Sequence, residues 1–249
     1  MTVKLFVPKS YNELSQAQAR WIFRTLTKYP DMNTMVFKTM AFLHFSGLKV
    51  ITRFEDTEDF LVKSGHTIFR IAPEQIAIAT RSLDWILFPP KYPWCPNKIA
   101  WRTTPDPRLF DLPFGNWLAI DNLYQGYIHT QDPQLLRKIA SIILPKFRRP
   151  LKDWELQAIF RWIISVKEFY TSRFSHFFVP VSGDGNLGSS APSPRQIEDA
   201  MNAQIRALTK GDIAKEQQIL QMPTLRALIE LDAQAREFQE LNKKTSSNH

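Results

Sequence analysis

A mainly α fold with a small antiparallel β hairpin or sheet is predicted from three stretches of the sequence. Residues 153–179 lack Pro and Gly, and Leu156, Ile159, Phe160, Ile163, Val166, Tyr170, Phe174 and Phe177 recur there at helical spacing. Trp154, Ala158, Trp162 and Phe169 add a second apolar stripe, so this central helix should be covered on more than one side. Between residues 48 and 71 the texture turns to β. Residues 180–194, PVSGDGNLGSSAPSP, concentrate Gly, Ser and Pro and are followed by further helical periodicity. The expected organisation is a multi-helix body with the sheet over residues 1–179, a flexible linker over 180–194, and a C-terminal helical segment over 195–244.

Taken in order, Val3, Leu5 and Val7 alternate as a short strand ended by Pro8. Ser10 and Glu13 have the spacing of a capping box, which predicts a helix starting at once, with Leu14, Ala17, Trp21, Ile22 and Leu26 on its apolar face. A second helix over about 33–46 carries Met35, Val36, Met40, Phe42, Leu43 and Phe45, and Gly47 is placed as its left-handed stop. Val50, Thr52 and Phe54, then 60–62 and 67–71, read as strands, the last two joined by a turn at Ser64, Gly65 and His66. Pro73 opens a helix whose face runs through Ile76, Ala79, Leu83, Ile86 and Leu87 to Pro89 and Pro90.

Seven prolines lie within residues 89–113, together with Trp94, Cys95 and Trp101, and they predict an ordered extended crossing. Helices follow over Trp117 to Tyr127, and from the Asp132 cap and Pro133 to Ile143. After the linker come helical pieces over 195–210, 212–221 and 223–244.

Hydrophobic and charged fractions of 44% and 22% are those of an ordinary soluble protein. No apolar run reaches bilayer length, and the start MTVKLFVPKSYNEL has no signal-peptide pattern, so no membrane association and a cytoplasmic location are expected. The lone Cys95 excludes an internal disulfide and a multi-cysteine metal site. The net charge of +8 is uneven, with 24 basic and 15 acidic residues before residue 181 and near balance after it. Such a body suits either scattered solvated charge or an acidic partner.

No catalytic constellation, metal-ligand spacing or cofactor motif stands out, so no enzyme activity, metal or cofactor is expected. His44, His66, His129, His176 and His249 form no ligand pairs, GDGNLG lacks the lysine of a phosphate loop, and Glu55, Asp56, Glu58 and Asp59 read as a solvated loop. Two binding features remain. Lys146, Arg148, Arg149 and Lys152 surround Phe147 and Trp154, a basic cluster with aromatics able to stack on nucleic-acid bases, or simply the exposed joint of two helices. Ile205, Leu208, Ile219, Leu220, Leu225, Leu228, Leu231 and Phe238 exceed what a solvated arm tolerates. They either fold back on the body or meet a protein partner.

KSYNELSQAQARWIF, LAIDNLYQGYIHTQDPQLLRKIASII and MNAQIRALTKGDIAKEQQILQMPTLRALIELDAQAREFQELNKK resemble prophage proteins encoded in tail-gene clusters. The resemblance implies a non-enzymatic tail assembly or tail-associated protein of the chaperone type. Phage tail proteins such as the tape measure would be its partners, in the host cytoplasm during assembly or in the virion. The alternative is a nucleic-acid-binding accessory protein that uses the basic body.

Overall fold

The structure is a computed structural model and describes residues 5–144, 149–178 and 194–246. It is predominantly helical, with one three-stranded and one two-stranded antiparallel sheet among those residues. The expected linker lies outside the described residues except for Pro194, which opens a helix.

Leu5 to Val7 form no strand, because no neighbouring strand pairs with them; Leu5 and Val7 instead pack on the N-terminal core. Ser10 makes no side-chain cap and precedes only a 3-10 turn, Tyr11–Glu13. Leu14 then adopts extended backbone, which delays the helix. The true capping box is Ser15 with Gln18, and α1 spans Gln16–Lys28. In α2, Thr34–Ser46, Asn33 accepts from the first-turn N–H groups of Met35 and Val36, and Gly47 closes the helix at φ 67°.

Strands β1 (Lys49–Arg53), β2 (Phe60–Ser64) and β3 (Thr67–Ile71) pair in that order. β1 is exposed along its whole length. Helix α3, Pro73–Arg81, stops short of the expected Leu87. The Ser82 hydroxyl donates to the Ala79 carbonyl, and a 3-10 turn, Asp84–Leu87, carries the chain on.

The proline-rich crossing is fastened at several points. It contains the hairpin of β4 (Lys98–Ile99) and β5 (Arg102–Thr103), and it buries Cys95, Ile99, Leu109 and Phe110. Helices α4 (Phe114–Thr130), α5 (Pro133–Ile143) and α6 (Asp153–Arg173) follow. Trp162 of α6 is 1% exposed, and its indole N–H donates to the Pro107 carbonyl at 2.6 Å. Tyr170, also on α6, donates to the Arg108 carbonyl at 2.6 Å. α6 ends at Arg173 and does not run to residue 179, because the N–H groups of His176 and Phe177 donate to Asp232 in a turn.

Helices α7 (Pro194–Thr209), α8 (Glu216–Gln221) and α9 (Thr224–Ser246) lie against the body. The N–H of Phe114 donates to the Met222 carbonyl at 2.8 Å, and the N–H and hydroxyl of Thr224 both donate to Leu112.

Two cores result. The larger gathers α4 to α9 and the crossing, while the smaller holds α2, the three-stranded sheet, α3 and the turn after it. α1 is the wall between them, with Phe23 in the larger core and Ile22 in the smaller. Arg161 of α6 reinforces the joint by donating to the Tyr11 hydroxyl and the Ile86 carbonyl, both at 3.3 Å.

Candidate functional site

The seam between the cores opens into a cleft of about 350 Å³, built from α1, the β4–β5 turn and the chain leading into α6. Gln16, Arg20 and Arg24 line it from α1, and Lys98, Ala100 and Trp101 from the hairpin. Arg149, Lys152, Trp154 and Glu155 complete the wall.

Each wall has a local cause. Arg20 and Arg24 are four residues apart on the polar side of an amphipathic helix, so they project from one face about 6 Å apart along its axis. The side chain of Gln16 fixes the hairpin to α1, donating to the Lys98 carbonyl at 2.8 Å and accepting from the Lys98 N–H at 3.3 Å. At the tip of the turn Ala100 and Trp101 have φ values of 48° and 68°. A left-handed residue other than Gly costs about 1–2 kcal/mol, so this turn is held rather than relaxed.

Glu155 holds it. This carboxylate is 1% exposed and accepts from the Ala100 N–H at 2.9 Å, from the Lys152 N–H at 2.9 Å, and from both ends of the Arg149 guanidinium at 2.6 and 2.9 Å. Burial alone would raise its pKa. The Arg149 guanidinium, with the two backbone donors, outweighs burial and holds the carboxyl below its ordinary range. Glu155 is therefore an ionised strut whose charge is already spent on four donors.

The lining carries five cations against that one carboxylate. Arg20, Arg24, Lys98 and Lys152 make no ion pair among the described residues. The Arg20 guanidinium sits 5.7 Å from the centre of the Trp154 ring, a cation–π contact between two residues of the lining. Trp154 is buried, and its indole N–H has no acceptor among the described residues. Trp101, by contrast, is 80% exposed. Phosphate or carboxylate groups suit such a surface, and planar rings suit its exposed indole.

Of the basic residues singled out in the sequence, Arg149 and Lys152 line the cleft, and Arg149 is committed to Glu155. Lys146 and Arg148, with Phe147, lie outside the described residues. Arg20, Arg24, Lys98 and Glu155 carry no motif that marks them as site residues, and Trp101 reads in the sequence only as an aromatic of the proline-rich crossing. The i, i+4 arginines of α1 and the close spacing of Lys98, Trp101 and Arg102 were the available signals.

The eight apolar C-terminal residues are placed differently from a free partner surface. Leu208, Ile219, Leu228 and Leu231 are buried in the larger core, and Ile205, Leu220 and Leu225 pack against it. Only Phe238 of the eight stands well out, at 65% exposure. The stripe is consumed by folding back on the body.

Other polar candidates have structural roles. His44 stacks on Trp21 at 4.5 Å, and burial lowers its pKa. His176 belongs to the turn that Asp232 anchors. Burial pushes the Cys95 thiol up to about 12 despite the Thr104 hydrogen bond, with Asp106 adding to the rise. Among the described residues no three His, Cys, Asp or Glu side chains gather as a metal site, and no helix is long and apolar enough to cross a membrane. No protein-family model matches the chain, and no curated protein or solved structure matches it either.

Proposed function

We propose that this protein is a non-enzymatic accessory protein that binds nucleic acid through the cleft between α1, the β4–β5 turn and the start of α6. The observation that carries the reading is the charge of that cleft: five cations face a single carboxylate that four donors already saturate. A scattered basic surface would place its charges on convex ground beside acidic neighbours. Here Arg20, Arg24, Lys98 and Lys152 converge on a concave site beside two tryptophans.

The test is binding of generic nucleic acid at two salt concentrations. Four phosphate contacts predict an affinity loss of roughly 50- to 150-fold between 50 and 200 mM salt. The double variant Arg20→Gln, Lys152→Gln should weaken binding and flatten the salt dependence. Affinity insensitive to salt, or unchanged in the variant, would remove this function.

A second reading keeps the tail-assembly role implied by the prophage resemblance, through protein contacts. What favours it is an apolar groove lined by Met35, Leu43, Val50, Phe60, Val62 and Ile76, beside a strand, β1, that pairs on one edge only among the described residues. A tail protein such as the tape measure would seat there. Co-purification of such a protein, abolished by Val50→Asp, is the outcome this reading expects.

A further inference from the structure

The β4–β5 turn carries a feature that phosphate binding alone leaves without a purpose. An Asn-Gly pair would make the same two-residue turn without strain. Instead Ala100 and Trp101 occupy it, both at positive φ, and the larger side chain is the one left in solvent. The turn is clamped from within: Ala100 is 1% exposed and its N–H is bound to Glu155. The clamp reaches further, since Glu155 is itself gripped by Arg149 and by the N–H of Lys152 at the start of α6. The indole of Trp101 is thus presented on a braced support, with Lys98 and Arg102 exposed on the same hairpin and Arg20 and Lys152 lining the cleft with it.

We infer that the cleft takes single-stranded nucleic acid, with one base stacked on Trp101 and the adjoining phosphates held by Arg20, Arg24, Lys98 and Lys152. This rests on the nucleic-acid reading and narrows it. An unpaired base has a free π-face, whereas a base inside a duplex gives its faces to its neighbours, so a duplex would leave the Trp101 indole uncovered. The cleft has room for a unit the size of one nucleotide. The charge nevertheless continues along α1, from Arg20 to Arg24, by one further helical turn, which suits successive phosphates of a strand better than a free nucleotide. An acidic peptide would engage the cations but has no use for a braced, exposed indole.

The experiment uses the full chain with a fluorescein-labelled oligothymidylate of about 12 nucleotides, its duplex with oligodeoxyadenylate, and an oligoglutamate of equal charge. The strand is expected to bind at least about tenfold tighter than either competitor at equal salt, and to quench indole fluorescence. Trp101→Ala should weaken the strand about 5- to 100-fold with an unchanged slope of log affinity against log salt, because a stack is lost and the phosphate contacts stay. Trp101→Phe should recover most of that loss, and it keeps the question decidable if the alanine variant folds poorly. Arg24→Gln should instead lower the slope by about 0.7. A duplex or peptide that binds as tightly as the strand, or a Trp101→Ala protein with native affinity, overturns the single-strand assignment. Absence of salt-sensitive binding to both strand and duplex overturns it together with the reading beneath it.

Discussion

Glu155 shows how much of the site hangs on one side chain. Its carboxylate joins the β4–β5 turn, Arg149 and the first turn of α6, so Glu155→Gln removes an ionic partner from buried donors and should cost about 2–3 kcal/mol at neutral pH. The pH dependence follows from the lowered pKa. The stabilisation is present above the unfolded carboxyl value of about 4.3 and is lost as pH falls through the still lower folded value. Denaturation midpoints of the native and variant proteins should therefore differ at pH 7 and converge as the pH falls through the lowered folded value. A gap that persists in acid would show that packing, not charge, is what the residue supplies. In the sequence, Glu155 reads only as an acidic residue in the first turn of a helix. Its partner Ala100 lies 55 residues away, beyond the reach of any local pattern. Long separation in the chain likewise hides Arg20 and Trp101, whereas Arg149 and Lys152 are legible because they lie close to Trp154 in the sequence.

Among the elements, those with their own start and stop chemistry were the legible ones. The Asn33 cap and Gly47 stop bound α2, Asp132 and Pro133 open α5, and the Gly65–His66 turn sets the β2–β3 register. Local detail misplaces the start of α1 and the end of α3, whereas at Arg173 a distant group decides the ending, since Asp232 captures the following N–H groups. Helix packing adds a constraint that periodicity does not carry. A Cβ on Gly115 would come within 3.2–3.3 Å of Leu220, including its carbonyl oxygen, so α8 rests on α4 where a side chain is missing. Gly115→Val should overpack that contact and lower stability by about 1–3 kcal/mol, read as a lower denaturant midpoint with an unchanged m value. A native midpoint would mean that α8 can lift away without cost.

For the whole molecule, the apolar stripe of the last helices was readable, but not what covers it. The answer is the body itself: Ala227 and Leu228 are fully buried in the same cluster as Ile159 and Ile163. Deleting residues 195–249 should therefore leave a chain that aggregates or loses its cooperative thermal transition, since it uncovers the larger core. A soluble truncated protein with a sharp native melt would refute that integration. Cys95, finally, sits in the larger core on the crossing that all these parts clasp. Its thiol is both covered and held protonated, so a labelling reagent meets it only when the crossing comes loose. The one cysteine of the chain is thus a built-in stopwatch, and the rate at which it is captured times the loosening of the crossing, with and without an occupant in the cleft.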